Sequence, residues 1–292
     1  MRKISFVALF ATLVMNVNAA DLFTGTKQVT WGTPLHIEAA KFADAQPGQK
    51  IVLTYTDAKE MAGEENKGSV VEFKVMNANF DHMAGTREAL RLWDNNTMEQ
   101  FLTAPAVDSL KAYGLEITGN DFTVTKVTLE NGKEALKEGF TVWTGFFWAD
   151  SWSTLELYYN GYVGVEWSKA TALRIYSEAD RTDYFLKIMN TWEKDGVIAD
   201  NDKFVKTNEY AELVLTDDLR TKLAAAGHWM IQFNKEAGNP FNVTDIVLVM
   251  DKGETQALEH TAVEAKTVKT IENGQVVIIK NGVRYNALGA QL

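Results

Sequence analysis

The chain contains no cysteine in 292 residues. That absence excludes disulfides, thiolate nucleophiles, zinc-thiolate sites and lipid attachment through an N-terminal cysteine, so the protein is not expected to be a lipoprotein. Histidine is also scarce: His36, His82, His228 and His260 are widely separated. There is no HExxH, no GxSxG, no phosphate-binding glycine loop and no EF-hand spacing. Positive charge is in deficit, with 29 Lys and Arg against 39 Asp and Glu and a formal net charge of -10. Such a surface repels phosphate backbones, and nucleic acid is not an expected partner. After the first 20 residues no stretch approaches the ~20 apolar residues of a transmembrane helix. The full chain is 46% hydrophobic and 23% charged, a globular mixture that must hold by packing alone.

At the N-terminus, Met1-Arg2-Lys3 precedes an apolar run from Ile4 to Met15 and the small or polar residues Asn16 to Ala20. This is the order of a secretory signal peptide over residues 1–20, with cleavage expected after Ala19. The expectation is export to the periplasm, the cell surface or the extracellular space.

Internal repetition follows. Leu22-Phe23-Thr24-Gly25 matches Val142-Trp143-Thr144-Gly145, and Leu35-His36-Ile37 matches Leu155-Glu156-Leu157. Slightly different spacings pair Tyr55 with Tyr176, Phe73 with Leu186, and Phe122 to Leu129 with Phe241 to Leu248. Within each copy apolar and polar residues alternate with the period of a strand, and the runs are bounded by Gly, Asn and Asp. Arg87 to Trp93, Val107 to Ala112 and Asp218 to Ala226 read as helical. The expected fold is all-β: two tandem antiparallel β-sandwich (jelly-roll-like) domains over 21–130 and 140–250, joined by a linker at 131–139. A second linker, 251–266, leads to a tail at 267–292. There, Asn273-Gly274 and Asn281-Gly282 are type I′ turn signals that predict a three-stranded β-meander.

The aromatics are unevenly placed. Between Phe146 and Trp167 there are eight in 22 residues, against 11% for the chain. A flat ring matches the C–H face of a pyranose, while large rings in a cysteine-free sandwich more often fill the core. Comparing the copies separates the two uses. Phe23/Trp143, Tyr55/Tyr176, Phe122/Phe241 and Leu115/Trp229 are apolar in both and read as core. Trp148 stands opposite Gln28, Phe147 opposite Lys27 and Trp167 opposite Gln46, exchanges that a core would not accept cheaply. Trp148, Trp167 and Phe147, with Tyr158, are therefore the candidate ligand-binding face. Trp152 and Trp31 are further ligand-binding candidates that either cap the sandwich or line one end of it. No catalytic residue stands out, although 39 acids do not rule out a glycosidase pair, and a structural calcium ion is left open; no cofactor is implied.

Leu22-Phe-Thr-Gly25, Val29-Thr-Trp-Gly-Thr-Pro34 and Gly114-Leu-Glu-Ile117 through Phe122-Thr-Val-Thr-Lys-Val127 resemble the small β-sandwich modules of secreted Bacteroidetes proteins. Those modules are similar to carbohydrate-binding modules and accompany glycoside hydrolases in polysaccharide-utilisation systems. The resemblance implies a non-catalytic glycan binder whose partner is a polysaccharide or oligosaccharide. The tail Ile271 to Tyr285 is similar to C-terminal segments related to type IX sorting signals, which implies contact with secretion machinery. The alternatives are a surface adhesion or structural protein using the same aromatics as a protein interface, and an uncharacterised hydrolase or lyase.

Overall fold

The computed structural model describes residues 19–59, 68–87, 90–92, 96–133, 136–158, 164–178, 182–234, 240–251, 268–272, 275–280 and 283–286. The signal-peptide region therefore lies, but for its last two residues, outside the described residues, as does Trp93. The chain divides into two compact units, Met1–Met250 and Asp251–Leu292.

In the first unit the strands run β1 (Ala20–Val29), β2 (Leu35–Ile37), β3 (Lys50–Thr56), β4 (Val70–Val75), β5 (Leu90–Arg91), β6 (Thr97–Phe101), β7 (Leu115–Gly119) and β8 (Phe122–Glu130). They form two antiparallel sheets in the orders β1-β8-β3-β6 and β2-β7-β4-β5. Two sheets wound in this order are a jelly roll. The helix α1 (Ala104–Tyr113) connects β6 to β7.

The pattern then repeats. The next strands are β9 (Phe140–Ala149), β10 (Thr154–Tyr158), β11 (Ala170–Ser177), β12 (Phe185–Met189), β13 (Val197–Ala199), β14 (Phe204–Lys206), β15 (Tyr210–Val214), β16 (His228–Asn234) and β17 (Phe241–Met250), with α2 (Asp217–Ala225) between β15 and β16. Their sheets, β14-β15-β11-β17-β9 and β10-β16-β12-β13, reproduce the first jelly roll with β14 as an added edge. In the second unit, β18 (Val268–Glu272), β19 (Gln275–Lys280) and β20 (Val283–Asn286) pair in that order. The last pairs of these strands are Glu272 with Gln275 and Lys280 with Val283, and the Asn-Gly pairs predicted as turns lie outside the described residues.

Alternation explains the cores. In β3, Ile51, Leu53 and Tyr55 are fully buried while their neighbours face outward. One core gathers residues from Leu22 to Leu129 and a second gathers residues from Val142 to Leu248. The segment between β8 and β9 is pinned, since the Lys133 N–H donates to the Gly48 carbonyl at 2.9 Å. Its ammonium donates to the Thr244 carbonyl at 2.5 Å and to Asp245 at 3.1 Å. Burial pushes the Lys133 pKa down, with Asp245 opposing the shift.

Three expectations need correction. Arg87 to Trp93 is not a helix where it is described: Leu90–Arg91 is a strand, and Arg87 forms a β-bridge to Leu157. The Tyr55/Tyr176 match is one residue out of register. Tyr55 pairs with Val124 and Ser177 pairs with Val243, so Ser177 occupies the inward place and Tyr176 lies half-buried on the outer face. Phe73 takes the place of Ile188, because their partners Ile117 and Ile231 are equivalent; that two-residue slip preserves the face.

Candidate glycan-binding face

The strand β9 determines which of its aromatics meets water. Successive side chains alternate between faces. Phe146 and Trp148 point outward, 58% and 59% exposed, whereas Phe147 and Ala149 point into the core at 6% and 1%. The expectation that Phe147 is an exposed ring is therefore corrected. It packs on Phe233 with ring centroids 5.9 Å apart, and the Arg87 guanidinium lies 4.8 Å from its centroid. Phe146, which comparison of the copies did not single out, takes its place on the surface. Period-two alternation on either side of Trp148 was the signal that could have found it.

The outer face of the five-stranded sheet carries a row of groups beside Trp148. Trp148 pairs across the sheet with Asn242, whose side-chain amide donates to Glu178 Oε2 at 3.0 Å. The Glu178 N–H in turn donates to the Asn242 carbonyl at 2.8 Å. Two residues back along β11 lies Tyr176, with Tyr210 of β15 beside it at 5.3 Å between centroids. The Lys137 ammonium stands 5.0 Å from the Tyr176 ring, and the Arg174 guanidinium stands 4.6 Å from Tyr210. Arg174 Nε donates to Glu212 at 2.6 Å, and this bond raises the arginine pKa further. Trp148 on β9 and Tyr176 on β11 lie on either side of β17 and are offset along it, Trp148 facing Asn242 and Tyr176 facing Asp245. An indole, an amide, a carboxylate and a phenol thus share one surface.

Trp152 adds a ring at the end of that strand. The turn Asp150–Ser153 is tied by Asp150 N–H to Ser153 Oγ and by Ser153 Oγ–H to the Asp150 carbonyl, at 2.8 and 2.9 Å. It holds Trp152 at φ 56°, a left-handed conformation unusual for so bulky a residue, with 59% of the residue in water. Trp31 occupies the matching turn of the first sandwich and is 53% exposed. Phe80 and Trp192, in the matching loops after β4 and β12, are also exposed.

The remaining candidates lie elsewhere. Tyr158 is half-buried and stacks on His82 of the first sandwich at 3.7 Å and 13°. Trp167 follows the loop after β10, half-buried and packed edge-on to the buried Trp229 at 6.2 Å. With Asp217, Arg220 and Thr221 it walls an open cleft of about 620 Å³ beside α2. Trp148 and Trp152 thus share one end of the second sandwich, while Tyr158 and Trp167 do not join them. Among the described residues no group of three or more His, Asp or Glu is arranged to hold a metal ion. No helix among them is long and apolar enough to cross a membrane.

No protein-family model matches the chain, and no curated protein matches it. Among solved structures, the chain is similar to the Bacteroides ovatus mixed-linkage glucan utilization locus protein SGBP-B, in complex with a mixed-linkage heptasaccharide. Identity is 17%, the TM-score is 0.30, and the match covers 38% of this chain and 29% of that one. The chain thus spans less than a third of that protein's length. It is also similar to a protein from Parabacteroides distasonis described as secreted, at 9% identity and a TM-score of 0.21 over 78% of this chain and 86% of that one. At these scores neither likeness carries an argument about function.

Proposed function

We propose that this is an exported, non-catalytic glycan-binding protein that stacks sugar rings on the outer face of its second jelly roll. The observation that carries the reading is Trp148: an indole 59% exposed on a regular strand, beside the Asn242–Glu178 pair. A pyranose placed on that ring would find an apolar face for its C–H groups and acceptors and donors for its hydroxyls. Tyr176, two strands away on the same face, extends the platform to a chain longer than one ring.

The first sandwich has Gln28 where the second has Trp148, so binding is assigned mainly to the second. The tail's contact with secretion machinery belongs to the same proposal. It rests on the tail's three-stranded pairing and on its sequence resemblance.

Affinity electrophoresis against a panel of neutral and acidic polysaccharides tests the reading. Retardation by at least one polymer, lost in Trp148→Ala, is expected. Retardation by none would favour a protein interface, and release of new reducing ends by purified protein would indicate an enzyme.

A further inference from the structure

Between the two jelly rolls is a cleft of about 220 Å³, walled by Arg87, Met98, Glu99 and Phe101 from the first and by Thr144 and Phe146 from the second. It is smaller than a typical drug-sized site and suits one sugar ring. Its aromatic wall is formed by Phe101 and Phe146, edge to face at 5.7 Å. Phe146 is also the outward neighbour, two residues along β9, of Trp148. The cleft therefore opens onto the same strand face to which glycan stacking is assigned.

The polar wall has an unusual state of charge. The cleft's own acid, Glu99, is engaged by Lys50. Arg87 is anchored by its β-bridge to Leu157 and stands over Phe147. Its Nε is buried and, among the described residues, has no hydrogen-bond partner. Burial pushes its pKa down and the nearby Glu156 opposes this, but a guanidinium keeps its charge in proteins. Arg87 is the cation that lines this cleft beyond the Lys50–Glu99 pair, and a partly desolvated cation is stabilised by an anionic acceptor. A planar carboxylate is the acceptor whose geometry fits the guanidinium fork.

We propose that this cleft receives a uronic acid unit of a bound glycan, with its carboxylate on Arg87 and its ring against Phe146. The inference rests on the glycan-binding reading and adds a substrate class to it: acidic polysaccharides.

The test uses the whole protein in affinity gels containing a uronic acid polysaccharide or the same polymer after carboxyl reduction. The acidic form is expected to bind roughly tenfold or more tightly, the scale of a charge-assisted hydrogen bond. Arg87→Gln is expected to make the two polymers equal, and Arg87→Lys is expected not to restore the difference, because an ammonium lacks the fork. A monomeric uronate should compete and acetate at the same concentration should not. If circular dichroism shows Arg87→Gln unfolded, Phe146→Ala removes the exposed ring of the cleft wall and serves in the same comparison. Equal binding of both polymers by the unaltered protein, or equal competition by acetate, overturns the proposal. If those equal affinities both vanish in Trp148→Ala, the cleft assignment falls and the stacking face stands. If no polymer is retarded, both fall.

Discussion

Phe147 and Trp148 are adjacent and equally apolar, yet one is buried and the other stands in water, and their substitution should separate stability from binding. Phe147→Ala removes a ring from a packed core and is expected to lower the unfolding free energy by about 3–5 kcal/mol in urea titration. Trp148→Ala is expected to stay within about 0.5 kcal/mol while abolishing glycan retardation. Tyr184, buried beside Phe241 and Ser177, offers a pH test. Burial pushes its phenol from 10.0 up to about 12, with the Ser177 hydroxyl pulling the other way. The fold thus favours the protonated phenol. That contribution is fully present below pH 10 and is lost as the pH rises towards about 12. Unfolding free energy should fall across that window, and Tyr184→Phe should flatten the fall; an equally steep fall in the variant would exclude Tyr184 as its source. At this scale the sequence was only partly legible. The exchange of Gln28 for Trp148 marked an outward position correctly. The exchange of Lys27 for Phe147 misled, because Lys27 shares the inward register through its pairing with Val124, and a half-buried lysine stem can occupy an apolar margin.

At the scale of elements, the two helices occupy the same place in the two copies but end differently. Both begin at threonine caps: Thr103 Oγ1 accepts from the Ala106 N–H and Thr216 Oγ1 from the Leu219 N–H. Thr216→Ala is expected to cost about 1 kcal/mol. The helix α1 stops at Gly114, φ 86°, where a Cβ would lie 2.5 Å from the Ile37 carbonyl oxygen. The helix α2 stops at Ala226 with an ordinary φ of -67°. Gly114→Ala should therefore destabilise well beyond the cap substitution, because both the backbone conformation and the close approach oppose it. Thermal unfolding of the two variants side by side checks this, and equal shifts would contradict it. The strands were legible because alternation is a local property of the chain. The error over Arg87 to Trp93 arose where residues with helical spacing are drawn into sheet pairing by Val70 and Val71, a partnership that the local pattern does not contain. The slip at Tyr176 came from matching aromatic to aromatic when the true equivalent, Ser177, is small and leaves its space to be filled from elsewhere.

At the scale of the whole unit from residue 20 to 250, one jelly roll is used twice with different surfaces. The first places Gln28 at the position where the second places Trp148, and the second alone carries Phe146 and Trp148 along one strand. Identical winding orders conserve the cores, while the outward positions of β9 are free to vary. That is why the repeat was readable from sequence and the binding face only in part. The packing of Phe101 on Phe146 and of His82 on Tyr158, contacts that join residues far apart in the chain, was not readable at all. A crystal structure of the protein with an oligosaccharide that retards it tests the central claim most directly. The account predicts a sugar ring lying flat on the indole of Trp148, with hydroxyls reaching Asn242 or Glu178. A ligand bound elsewhere, with Trp148 bare or covered by a second copy of the chain, would contradict it.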